Sequence, residues 1–131
     1  MTLTIDLPLP PRALSSNGSH GHWSKKNREA QAYRNTVWAL VLAARFPDGP
    51  HGRRRVSYTF GIKGARAGGY YCPRDVSNAL AAFKAGQDGL VDAGILVDDS
   101  ARWMELGTVT IDATVGPFVR VVVESCEGGQ G

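Results

Sequence analysis

The chain has 131 residues, enough for one domain with one modest core. Hydrophobic residues make up 43% and charged residues 21%, which excludes a disordered chain, and the formal net charge of +3 permits nucleic-acid binding without demonstrating it. No apolar run approaches the ~20 residues of a membrane span.

The opening MTLTIDLPLPP has neither the basic leader nor the long apolar stretch of a signal peptide, so a cytoplasmic location is expected. Within it Leu3, Ile5 and Leu7 alternate with polar residues, a strand ended by prolines. A polar loop, SSNGSHGHWSKKN, follows. Ser24 is placed to cap a helix from about Lys25 to Arg45, whose apolar residues Val37, Leu40, Val41 and Ala44 recur at helical spacing. Trp23 and Trp38 read as core residues. FPDGPHG breaks the helix. Val56, Tyr58, Phe60 and Ile62 then alternate as a second strand.

After the Gly-rich stretch GARAGGYYCP, helical spacing returns from Ser77 to Ala93, and Gly94 sits at the C-terminal stop. Two alternating segments, Met104 to Thr114 and Phe118 to Glu124, close the chain. GPF supplies a turn between them, so they read as a hairpin. The expected fold class is α/β (α+β): one small domain over residues 1–126, a mixed sheet with two main helices packed on it, and a frayed tail at 127–131. Cys72 and Cys126 form no C-x-x-C pair and read as two reduced thiols. His20 and His22 lack a further ligand at zinc spacing.

The chemistry concentrates in CPRDVSNALAAFKAGQDGLVDAGILVDDSARW. At 100° per residue, Leu80, Phe83, Gln87, Leu90, Val91 and Gly94 share one sector of the second helix. Ser77, Ala81, Lys84 and Asp88 share the adjoining one, so the polar stripe borders the buried stripe. Taken alone, Lys84 and Asp88 are a solvated i,i+4 pair worth ~0.3–0.5 kcal/mol. Their company changes the weighting: Asp75 lies just before the helix, and Asp98 and Asp99 lie just after it. They meet in one cleft only if the chain folds back. Carboxylates gathered at one point repel unless a cation compensates, and Mg²⁺ suits carboxylate oxygens. Carboxylate-held Mg²⁺ can activate water for attack on a phosphodiester, with a lysine stabilising charge on the phosphate.

At these residues the chain resembles the RusA-type Holliday junction resolvases. Their signature, an Asp-x-Asp-Asn start, a Lys, an Asp-Ala/Gly-Leu segment and a later Asp-Asp pair, is matched by Asp75 and Asn78, Lys84, Asp88-Gly89-Leu90, and Asp98-Asp99. The interval from Asn78 to Lys84 is about one helical turn longer than in the best-known members and is similar to that of phage-type relatives. IDLPLPPRALSSN and HWSKKNREAQAYRNTV resemble the family's opening strand, Pro-Pro turn, basic loop and helix. The resemblance spans residues 3 to 124.

It implies a homodimeric, Mg²⁺-dependent endonuclease acting on branched DNA such as four-way junctions, with Mn²⁺ as a substitute ion. It implies metal ligation by Asp75 and Asp99 with Asp98 in support, catalysis by Asp75, Lys84 and Asp99, and supporting roles for Ser77, Asn78 and Asp88. Ser77 is a departure, since the family has a second Asp there. A neutral hydroxyl is a weaker Mg²⁺ ligand, which opens a second reading: a catalytically weak or inactive branched- or single-stranded-DNA-binding module on the same fold. DNA contacts are expected from Asn17, His22, Lys25, Lys26, Arg28, Arg34, Arg66 and Arg74, with the Arg53–Arg55 run as a further basic group. Tyr70 and Tyr71 either stack on an unpaired base or pack against the sheet. A third reading, a protein with no nucleic-acid role whose charges are all surface, is separated from the others by the salt dependence of junction affinity.

Overall fold

The computed structural model describes residues 2–15, 23–46 and 52–126. Asn17, His20, His22 and the tail at 127–131 lie outside them, as does the side chain of Trp23. Seven regular elements follow in order: β1 (Thr2–Leu7), α1 (Trp23–Ala44), β2 (Arg54–Gly61), α2 (Val76–Ala82), α3 (Lys84–Asp92), β3 (Met104–Asp112) and β4 (Phe118–Ser125). A short 3₁₀ turn covers Arg12–Leu14. The architecture is a four-stranded mixed sheet with three helices packed on it. No helix among the described residues is long and apolar enough to cross a membrane.

Period-two alternation does what it predicts. Leu3 and Leu7 of β1, Val56, Tyr58 and Phe60 of β2, and Val119, Val121 and Val123 of β4 are buried on one face. The other face carries charge pairs, with Arg120 bidentate on Asp6 and Arg55 on Glu105. On the covered face α1 contributes Tyr33, Val37 and Val41, spaced four residues apart. Trp38 is not a core residue: it is 43% exposed, because it stands 100° around the helix from Val37. Leu40 is also exposed, at 40%. The helix begins at Trp23, which puts Ser24 inside it and not at its cap.

The second helix divides in two. Phe83, with φ −87° and ψ 2°, leaves helical geometry between α2 and α3, although Phe83 N donates to Ala79 O and Gln87 N to Phe83 O across the break. The ring of Phe83 is fully buried among Tyr33, Tyr58 and Phe60, at centroid distances of 6.1, 5.1 and 6.2 Å. Tertiary packing of that ring overrides a uniform helix. The stop at Gly94 is as expected. Its φ is +84°, Gly94 N donates to Val91 O, and Ile95 N donates to Leu90 O. Leu90 and Ile95, the apolar pair of this closing motif, are both buried.

The last two strands are not a hairpin. The sheet order is β1-β4-β2-β3, so β2 lies between β3 and β4. It pairs parallel with β3 and antiparallel with β4, and β4 pairs antiparallel with β1. The connection after β3 crosses the end of β2, where Ile62 N donates to Asp112 O and Lys63 N to Val115 O. Gly116 allows the crossing. Its φ is +124°, and a Cβ there would stand 2.3 Å from the carbonyl oxygen of Gly61. A turn signal reports that the chain reverses, and the strand pairing shows that it reverses over the end of β2.

Gly116→Ala therefore meets both an unfavourable φ and backbone overlap. A loss of roughly 3 kcal/mol in urea unfolding is expected. A variant as stable as the wild type shows that the crossing tolerates a side chain.

Candidate functional site

The site forms where the start of α3 meets the loop that follows its end. Lys84 is the first residue of α3, next to the buried ring of Phe83. Its Nζ donates to Asp88 Oδ1 at 2.8 Å and to Asp99 Oδ2 at 2.5 Å. The first contact is the local i,i+4 pair. The second shows the loop after α3 folding back on the start of that helix, which the sequence permits but does not prove. Beyond Gly94 the chain turns, Ile95 and Leu96 are buried, and Asp99 returns to the beginning of the helix. Asp98 contributes through its Oδ1, which accepts from the backbone N–H of Asp99 at 2.8 Å and holds the loop in register.

Gln87 also reaches this centre. It lies on the core-facing sector, which the sequence marks as packing and not chemistry. Its Nε2 donates to Asp99 Oδ2 at 3.3 Å, and its Oε1 accepts from the buried Tyr58 hydroxyl at 2.8 Å. A glutamine in an otherwise apolar sector was the available signal, since a buried amide needs partners.

Asp75 lies at the N-terminal end of α2. It is the N-cap of that helix: Oδ1 accepts from Asn78 N at 2.9 Å and Oδ2 from Asn78 Nδ2 at 2.8 Å. Capping satisfies a free N–H of the first turn, and the helix dipole favours the negative charge. No hydrogen bond or ion pair among the described residues joins Asp75 to Asp98 or Asp99. Ser77, in the first turn of α2, is exposed. Among the described residues no three His, Cys, Asp or Glu side chains form a group able to hold a metal ion. Two carboxylates, Asp88 and Asp99, do share the Lys84 nitrogen, with the Gln87 amide beside Asp99. That donor set fits a hard cation such as Mg²⁺, which binds through one or two carboxylates and keeps several waters.

Two grooves flank Lys84. One, of about 640 Å³, has an apolar floor including Leu80, Met104 and Leu106, and a polar wall of Lys84, Gln87 and Asp99. The other, of about 270 Å³, is lined by alanines with Lys26, Lys84 and Asp88 at its rim. Lys84 and Ala81 line both.

The basic residues divide by partner. Arg34 is bidentate on Asp92, at 2.6 and 2.8 Å, and lies 3.9 Å from Asp88. Its guanidinium thus ties α1 to α3. Arg53 and Arg55 clamp Glu105, while Arg54 is buried. Lys26 Nζ donates to Ser15 O at 3.3 Å. Lys25, Arg28, Arg66 and Arg74 are exposed. Tyr70 packs against the core, half-buried, and its backbone bridges to Pro11.

The charges shift each other's protonation. Hydrogen bonds donated to Asp88 and then to Asp99 hold the Lys84 ammonium above its ordinary pKa. The hydrogen bond from Lys84, helped by Gln87, holds the Asp99 carboxyl below its ordinary value. Arg34 likewise lowers Asp92. Lys84 is 58% exposed and Asp99 28%, so water screens the pair and its stabilisation is small, ~0.2–1 kcal/mol.

Set against known proteins, the chain matches no family model and no curated protein.

The shifts give the pH window. Asp99, lowered on folding, contributes stability above its unfolded pKa and loses it as pH falls through the folded value. Lys84, raised on folding, contributes below its unfolded pKa and loses it as pH rises through the folded value. The contact thus persists across neutral pH and fails at both extremes. In a ¹³C carboxyl NMR titration, Lys84→Met should raise the Asp99 pKa toward the ordinary carboxylate value. An unmoved Asp99 means that its carboxylate is not held by Lys84.

Proposed function

We propose that the protein is a Mg²⁺-dependent, structure-selective endodeoxyribonuclease that cuts Holliday junctions or related branched DNA as a homodimer. The observation that carries this reading is the Lys84 ammonium held between Asp88 and Asp99 where it lines two grooves. Asp99 comes from a loop 15 residues away, so the cluster is more than a helical surface pair. The resemblance of the same residues to the resolvase signature gives the cluster a chemistry.

Asp75 and Asp99 would hold the metal with support from Asp98, and Asp88 would keep Lys84 in place. When bound, Mg²⁺ polarises the phosphodiester and lowers the pKa of a water for in-line attack. Lys84 supplies a positive charge for the scissile phosphate and the departing oxygen. Asn78, bonded to both Asp75 oxygens, fixes the rotamer of that carboxylate. The exposed Lys25, Arg28, Arg66 and Arg74, with Lys26 at the groove rim, provide phosphate contacts.

Ser77 favours a second reading, a module on the same fold that binds branched or single-stranded DNA with little or no turnover. A hydroxyl stands one residue before Asn78, where the resolvase signature has a carboxylate, and the site loses one negative charge.

Purified protein with synthetic four-way junctions and Mg²⁺ is the test. Symmetric nicking by the wild type is expected, abolished in Asp75→Asn and Asp99→Asn with binding retained. Lys84→Met should lower kcat by about 10²–10³-fold. No cleavage under varied salt and metal defeats the nuclease reading. If Ser77→Asp then confers Mg²⁺-dependent nicking, the binding module is the right description. Sedimentation of the free protein as a monomer at micromolar concentration counts against the homodimer.

A further inference from the structure

We infer that Gln87 is a positioning residue: anchored on the buried Tyr58 hydroxyl, it ties down one oxygen of Asp99 and leaves the other for a ligand. The consequence for catalysis rests on the nuclease reading; the arrangement of the three side chains does not.

Tyr58 is 1% exposed, with its ring against Phe83 at 5.1 Å and Phe60 at 6.0 Å. Burial pushes its pKa up, so the hydroxyl keeps its proton. Among the described residues the one acceptor for that proton is Gln87 Oε1, at 2.8 Å. A buried hydroxyl without an acceptor is unfavourable, so this bond decides which end of the amide is which. Nε2 then faces Asp99 and donates to Oδ2 at 3.3 Å. The reversed amide would set Oε1 against the carboxylate, two acceptors in contact. Only one orientation satisfies both neighbours.

Lys84 Nζ donates to the same Oδ2 at 2.5 Å. Oδ2 therefore has two side-chain donors, and no side-chain donor among the described residues reaches Oδ1. The Asp99 backbone is held as well, since its N–H donates to Asp98 Oδ1. A carboxylate fixed at its main chain and at one oxygen presents the other in a set direction. The groove wall carries Gln87, Asp99 and Lys84 together, so the oriented carboxylate belongs to a cavity. Gln87 touches no reacting atom in this scheme; it acts through Asp99.

The test uses the full chain with Gln87→Glu, Gln87→Leu and Tyr58→Phe. Glutamate keeps the size of glutamine and still accepts from Tyr58, but has no N–H for Asp99. In ¹⁵N spectra of the wild type, one Gln87 side-chain proton should be displaced and slow to exchange, and should move in both Asp99→Asn and Tyr58→Phe. Gln87 signals at solvent-exposed values, unmoved by Asp99→Asn, overturn the proposal whatever the protein cleaves. In junction cleavage with Mg²⁺, Gln87→Glu should lower kcat about ten-fold or more with KM and thermal midpoint little changed, and Gln87→Leu should lower kcat at least as far while also lowering the thermal midpoint, since it leaves the Tyr58 hydroxyl without an acceptor. Gln87→Glu at the wild-type rate overturns the positioning role, because a residue that merely fills space is replaced by its isostere. An inert wild type with the expected amide signals defeats the nuclease reading and upholds the orientation of Asp99.

Discussion

The burial of the Phe83 ring among Tyr33, Tyr58 and Phe60 is the contact on which the site depends. Full burial of such a side chain is worth roughly 1.5–3 kcal/mol, and each edge-on aromatic pair adds ~0.5–1.5 kcal/mol. That is larger than any exposed ion pair on the surface. The ring therefore dictates where the backbone goes, and the helix yields at this residue. Lys84 follows directly, so the position of its ammonium stem is set by the core. Tyr58 belongs to the same cluster and sends its hydroxyl to Gln87. Hydrophobic packing thus reaches the polar centre through two adjacent routes, one along the backbone and one through an amide.

The polar centre itself is electrostatically unbalanced. Lys84 faces two carboxylates, and Asp98 adds a third close by. Unit charges 4 Å apart interact by ~1 kcal/mol even in bulk water. A polyanion approaching this centre is repelled unless positive charge accompanies it. The chain offers such charge in exposed lysines and arginines, and a divalent cation would add more. Not every basic residue is available in equal measure, because Arg34 is already engaged by Asp92 and Arg55 by Glu105. Surface cations split into those that brace the fold and those left facing solvent, and composition alone does not divide them.

The two carboxylates of greatest interest differ in how they are held. Asp99 is oriented by long-range contacts, from Lys84 and from Gln87. Asp75 is oriented by its own neighbourhood, as a helix cap bonded twice to Asn78. A capping carboxylate has a structural reason to be there whether or not it binds an ion, so its position is no evidence of chemistry by itself. The Asp99 carboxylate has no comparable local reason, and this makes it the more informative of the pair.

What the sequence by itself determined is governed by neighbours along the chain. The alternation of Val56, Tyr58 and Phe60 and of Val119, Val121 and Val123 assigned buried faces, since period two is a property of the strand backbone. Gly94 marked a helix stop because its φ of +84° suits glycine. Lys84 and Asp88 met because four residues make about one turn. The tertiary structure alone decided the rest. It put β2 between β3 and β4 with Gly116 lying close against Gly61, returned Asp99 to Lys84, joined Tyr58 to Gln87 across 29 residues, and locked Arg34 to Asp92 across 58. Such pairings are chosen by how whole elements pack, and no local spacing encodes that choice.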